Sequence, residues 1–177
     1  MIIGLIPSRL NSKRLKKKPL LEINNLPIIV HTFKRACLAK KLDKIIVCTD
    51  SKEIRDIVKK NGGDCLLTSK KHKNGTERIY EVAKKFKPKL IIDIQGDEPL
   101  LNPKHIDQVI NFHLNNKKFD IILPTLKFKN PDTKNIVKVV SDKQNKVLYL
   151  SRSVIPYPYK TKPKFYNKHL SIISFKP

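Results

Sequence analysis

The sequence predicts an α/β fold: a Rossmann-like, mostly parallel sheet with helices on both faces, plus a β-rich C-terminal segment. Three observations carry that expectation. Short, almost purely apolar runs alternate with segments of helical apolar recurrence through residue 126. The runs lack the polar and apolar alternation of a one-sided sheet, as strands buried on both faces require. Beyond residue 126 the helical recurrence stops and strand-like runs follow one another.

Residues 2–7 make the first strand. Over 27–39, Ile28, Val30, His31, Phe33 and Ala36 recur at helical spacing behind Pro27, a residue suited to a first turn. A second strand, 44–49, closes on Thr49, Asp50 and Ser51, capping chemistry for a helix to about residue 60. Gly62 and Gly63 end that helix, and 64–67 form a third, short strand. Helices at 76–86 and 103–114 enclose a fourth strand at 89–94, and 120–126 supply a fifth. Then 136–140, 146–150 and 169–175 read as strands, with the Pro-rich stretch 156–163 an extended loop. One domain is expected, with an α/β part at 1–126 and a β-rich part at 127–177.

Composition narrows the function classes. A chain of 177 residues with 40% hydrophobic content can build a core despite a formal charge of +23. No apolar stretch approaches the roughly 20 residues of a membrane span. The opening residues lack a charged start and read as a strand, not as a signal peptide. Only six of the 38 basic residues are Arg, and the 32 Lys with 22 Ile and 13 Asn make up 67 residues, the bias of an AT-rich coding sequence. The Lys are scattered and aromatics are 7%, so no specific nucleic-acid surface is expected; general polyanion attraction at low salt remains open. Cys37, Cys48 and Cys65 form no CxxC and read as buried thiols of a reducing compartment, and the five His show no metal spacing.

Ligands of open parallel sheets bind beyond the carboxyl ends of the strands. The first strand runs into a loop with Arg9, Arg14 and Lys18 and with neither GxGxxG nor GxxxxGK[ST], so a polyphosphate clamp and a solvated basic loop are its two readings. The fourth strand ends in Gln95-Gly96-Asp97-Glu98-Pro99, a metal-holding carboxylate at Asp97 or a tight turn. Asn74-Gly75-Thr76-Glu77-Arg78 opens a helix that meets a base or ribose, or is merely capped. Arg152 follows a strand and binds an acidic substrate group or a surface acid.

Those segments together, with Asn135 to Val140 (NIVKVV) and Ser151 to Pro156, resemble the 3-deoxy-manno-octulosonate cytidylyltransferases, in the right order across essentially the whole chain. The resemblance implies transfer of CMP from CTP to the anomeric hydroxyl of 3-deoxy-manno-octulosonate (Kdo), with Mg²⁺ as cofactor, in lipopolysaccharide synthesis in the cytoplasm. It implies a fold of the nucleotide-diphospho-sugar transferase type, with Arg9, Arg14 and Lys18 on the CTP phosphates and Ser8 among the substrate-binding residues. Thr76 and Arg78 would border the cytidine pocket, and Gln95 and Asp97 would line the reaction centre, Asp97 as Mg²⁺ ligand. It further implies Arg152 and His169 at the sugar acid and a homodimer formed through 135–175. The departures are Lys16 and Lys17 where the family has Pro-Gly, and Ser171, Ile173 and Ser174 where it has Gly, Tyr and Gly. Family members also continue past residue 177, into a part that supplies another metal-binding aspartate. The alternatives are a cytidylyltransferase for another 2-keto sugar acid, or a non-catalytic nucleotide- or polyanion-binding protein.

Overall fold

The strand β1 (Ile2–Ser8) is apolar over most of its length because both of its faces are covered. The structure is a computed structural model and describes residues 1–177 apart from 11–14, 133 and 162. After β1 come a 3₁₀ turn (Lys18–Leu20) and a hairpin, β2 (Glu22–Ile23) with β3 (Leu26–Pro27). Asn24 and Asn25 turn that hairpin at φ 50° and 60°, a pair of left-handed residues that suits the twist of a two-residue connection. The chain continues through α1 (Ile28–Ala36), β4 (Lys44–Thr49), α2 (Lys52–Lys60), β5 (Cys65–Leu67), α3 (Gly75–Phe86), β6 (Leu90–Ile94), α4 (Pro103–Asn115) and β7 (Ile121–Ile122). Beyond β7 lie β8 (Thr125–Phe128), β9 (Lys138–Ser141), β10 (Val147–Ser151), β11 (Tyr166–His169) and β12 (Ile172–Phe175).

Two compact units result, one of residues 1–122 with 171–177 and one of 123–170. The first holds a six-stranded sheet in the order β5-β4-β1-β6-β12-β7, with β5, β4, β1 and β6 parallel and β12 antiparallel to both its neighbours. Alternate side chains sort its core into two layers. Ile6, Val47, Ile92 and Ile94 pack with Ile29, Phe33, Ile54, Ile106 and Ile110 of α1, α2 and α4. Ile3, Leu5, Ile46, Cys48 and Ile91 pack on the other face with Ile79, Val82 and Ala83 of α3. The second unit is a four-stranded sheet in the order β10-β9-β11-β8, antiparallel throughout.

Three expectations change. The run 120–126 is not one strand: β7 stays in the first sheet and β8 opens the second, with Pro124 between them, which lacks the N–H a central ladder needs. The run 169–175 divides likewise, β11 belonging to the second sheet and β12 returning to the first. Cys48 and Cys65 are buried, but α1 stops at Ala36 and leaves Cys37 exposed at its C-cap.

Candidate functional site

Strands are added outward from β1 through β4 to β5, after which α3 carries the chain back to β6 on the other side of β1. The reversal opens a crevice at the carboxyl ends of β1 and β6. Two glycines let the backbone close in there. A Cβ at Gly96 would lie 2.9 Å from the Pro7 carbonyl oxygen, and one at Gly75, the first residue of α3, 3.2 Å from the Pro7 ring. Ser8, at the end of β1, is buried, and its Oγ has no hydrogen-bond partner among the described residues.

Across this crevice Lys18 Nζ lies 2.6 Å from Asp97 Oδ2. The cation that the resemblance assigns to phosphate and the carboxylate that it assigns to metal are therefore in contact, both partly exposed to solvent. Lys17 points the other way, its Nζ 3.1 Å from both carboxylate oxygens of Glu53 in the first turn of α2. Lys17 has φ 51°, left-handed backbone at the place where the family pattern has glycine, and the Glu53 contact holds it there. Arg9 is exposed; Arg14 lies outside the described residues.

A cavity of about 660 Å³ borders the same edge, lined by residues that include Leu10, Asp50, Glu53, Thr68 and Lys70. Arg78 stands behind its wall. Its guanidinium is 4% exposed, and Nη2 donates to Asp50 Oδ2 at 2.9 Å. Nη1 donates to Thr68 Oγ1 and to the Ser69 carbonyl. Arg78 thus fixes two lining residues, at the ends of β4 and β5, from α3. Thr76, two residues earlier on that helix, faces elsewhere, into an apolar groove with Ile79, Tyr80, Ile91 and Phe175.

The start of α3 is a reciprocal cap: Asn74 Oδ1 accepts from the Glu77 N–H at 2.8 Å, and Glu77 accepts from Asn74 Nδ2 and from the Lys73 N–H. One turn on, Glu81 accepts from the Ser69 N–H and pairs with His72 Nε2 at 2.5 Å, contacts that hold its carboxyl below the usual range. The basic loop 69–74 is therefore tied down at both ends.

The end of β6 is fastened by β12. Gln95 donates its N–H to the Ser171 carbonyl, and Ser171 Oγ donates to Glu98 Oε1 at 2.5 Å. Glu98 is thereby turned to its neighbour strand, leaving Asp97, paired with Lys18, as the carboxylate at the crevice. Among the described residues no three of His, Cys, Asp or Glu gather as a metal cluster. A divalent ion at Asp97 would take its other oxygens from substrate phosphates and water, the coordination that suits Mg²⁺. Asp93, four residues earlier, faces the α3 layer instead. It is 3% exposed, and burial pushes its carboxyl from 3.8 up to about 7.

In the second unit, Arg152 and His169 flank one stretch of chain. Arg152 Nη1 donates to the carbonyls of Asn135, at 2.9 Å, and Lys134, at 3.3 Å. The His169 N–H donates to the Val137 carbonyl at 2.9 Å. Between them Lys138 is buried, its Nζ donating to the carbonyls of Arg152 and Ile136 at 2.8 and 3.2 Å. Sequence reasoning missed Asp50, Thr68, Ser171 and Lys138. The strand-end position of Asp50 was a usable signal, absorbed instead by its neighbour Ser51, which caps α2.

A family model described as Cytidylyltransferase matches residues 3–177. The 3-deoxy-manno-octulosonate cytidylyltransferase of Fusobacterium nucleatum is 43% identical, covering 98% of this chain and 72% of its own length. The protein of the same name from Chlamydia trachomatis serovar L2 is 36% identical, with 98% and 70% covered. A solved CMP:2-keto-3-deoxy-manno-octonic acid synthetase complexed with CTP matches with a TM-score of 0.92 at 30% identity, over 99% of this chain and 73% of that one. The 4-diphosphocytidyl-2C-methyl-D-erythritolsynthase of Anaerococcus prevotii, 17% identical with a TM-score of 0.63, shares the fold.

Proposed function

The chain belongs to the cytidylyltransferase family, and from that premise we propose that it transfers CMP from CTP to the anomeric hydroxyl of Kdo, a step of lipopolysaccharide assembly. The anomeric oxygen attacks the α-phosphorus, the bond to the bridging oxygen breaks, pyrophosphate leaves, and the hydroxyl proton passes to solvent. The observation that carries this reading is the 2.6 Å contact of Lys18 with Asp97 in the crevice between β1 and β6.

Each residue has a task in that reaction. Arg9, Arg14 and Lys18 grip the triphosphate, and Lys18 exchanges its carboxylate partner for phosphate oxygen as substrate enters. Ser8 offers its unpartnered Oγ to the same group. Gln95 lines the reaction centre, and Arg78 acts through Asp50 and Thr68, which it holds at the cavity wall. Asp97, with phosphate oxygens, would hold Mg²⁺, which when bound neutralises charge at the α-phosphate and makes the acceptor hydroxyl more acidic. Arg152 pairs with the sugar acid's carboxylate, with His169 beside it.

The enzyme works in the cytoplasm, a setting consistent with its three free cysteines, and as a homodimer. The dimer contact is β10, an edge strand whose Leu148 and Tyr149 are 61% and 64% exposed. No helix among the described residues is long and apolar enough to cross a membrane.

The test is pyrophosphate release with CTP, Mg²⁺ and Kdo. Release should depend on Kdo and fall at least about a hundredfold in Asp97→Asn, as loss of a transition-state charge partner does. Kdo leaving the rate at background would refute the assignment, and a panel of other 2-keto sugar acids would then identify the acceptor.

A further inference from the structure

Lys138 is fully buried in the second unit, at 1% exposure, in a chain whose lysines mostly lie in water. Desolvating an ammonium is costly, so its bonds define its role. It donates to the carbonyl of Arg152 at 2.8 Å and to that of Ile136 at 3.2 Å. Arg152 returns the contact, its Nη1 donating to the carbonyls of Asn135 and Lys134, just upstream of β9. Each cation thus binds main chain belonging to the other's segment, and residue 152 is fixed where it leaves β10. With Nη1 spent on carbonyls, the Nε and Nη2 edge of the exposed guanidinium is the fork left for a carboxylate.

We propose that Lys138 is a positioning residue for the sugar acid: by holding the Arg152 carbonyl it aims the Arg152 fork at the substrate carboxylate. The proposal rests on the reading of Arg152 as that carboxylate's partner. Lys138 touches no substrate atom, so its removal should weaken sugar-acid binding and spare the nucleotide.

The experiment measures dissociation constants for Kdo and for CTP, each with Mg²⁺, by titration calorimetry on the full chain. The variants are Lys138→Met, Lys138→Gln, Arg152→Ala and the double variant Lys138→Met with Arg152→Ala, with a melting curve for each. Lys138→Met should weaken Kdo about tenfold, the scale of one lost charge-assisted hydrogen bond, and leave CTP unchanged. Lys138→Gln, which keeps one donor, should lose less. The double variant should bind Kdo no worse than Arg152→Ala alone, because the lysine acts only through the arginine. Unchanged Kdo affinity in both Lys138 variants, equal losses for the two ligands, or additive losses in the double variant would overturn the proposal, as would failure of both Lys138 variants to fold. If Arg152→Ala weakens Kdo while the Lys138 variants do not, only the positioning role falls. If Arg152→Ala leaves Kdo binding intact, the carboxylate assignment falls with it.

Discussion

Asp93 is a carboxylate set into an apolar layer, opposite Leu5 of β1 and Ile173 of β12, with no partner for its Oδ1 among the described residues. Its carboxyl is raised to about 7 by burial, so between its ordinary value of 3.8 and about 7 the folded chain holds a proton that the unfolded chain has released. Stability therefore falls as pH rises through that window, by roughly 4 kcal/mol in all, and is flat above it. Asp93→Asn removes the proton-binding group. Calorimetry should find a higher melting temperature at pH 8 than for the wild type, and a smaller gap between pH 5 and pH 8; an unchanged gap would contradict the assignment. Lys138 is the converse case, a buried charge supplied with acceptors. Neither was legible in the sequence: Asp93 sits in an apolar run that reads as strand, and Lys138 is one of 32 lysines with no local mark of burial.

At the scale of elements, the ends of β1, α3 and β6 meet at Pro7, and the glycines at 75 and 96 are what permit it. Gly96→Ala would press a methyl against the Pro7 carbonyl oxygen, displacing the loop that carries Asp97. A destabilisation of about 1–3 kcal/mol, with a larger loss of turnover than of CTP affinity, is expected from denaturant titration and kinetics. The seam between β6 and β12 is a second place where this chain departs from the family pattern, and two of the departures there have partners. Ser171 donates to Glu98, and Ser174 Oγ meets His113 Nδ1 of α4 at 2.6 Å. The other ring nitrogen of His113 meets the Phe119 carbonyl at 2.9 Å, so a buried polar chain joins α4 to β12. The strands β1, β4 and β6 could be read from their continuous apolar runs, because burial on both faces leaves no other pattern. The return of β12 could not be, because an apolar run does not state which sheet it joins, and only Pro124 hinted at the break before β8. On the outer edge of the second sheet, Leu148→Glu should turn the proposed dimer into monomers in sedimentation equilibrium; a wild type already monomeric would remove β10 as the contact.

Over the whole molecule, the +23 charge separates into a few cations held in place and a large solvated remainder. Lys17, Lys18, Arg78, Lys138 and Arg152 have named partners at or near the proposed sites. The remainder repels itself, and added salt screens it. The melting temperature should therefore rise from low to physiological ionic strength, while any RNA binding falls steeply over the same range; RNA binding that survives salt and ignores CTP would favour a polyanion-binding protein. The sequence carried the fold class and the two crevice loops because these rest on local pattern. The cavity wall built by Arg78, Asp50 and Thr68 rests on three distant segments and had to be seen folded.

The pairing of β7 with β12, Ile122 opposite Ser174, means that the chain departs from the first sheet and rejoins it on adjacent strands. Residues 123–170 are in that sense a detour between neighbours, and a short turn could bridge the gap without re-threading the sheet. An excursion anchored this way is free to diverge, be exchanged or be re-evolved while the strands that carry Ser8, Gln95 and Asp97 stay as they are. If Arg152 and His169 hold the acceptor as proposed, a new acceptor can be acquired by grafting one continuous stretch of chain.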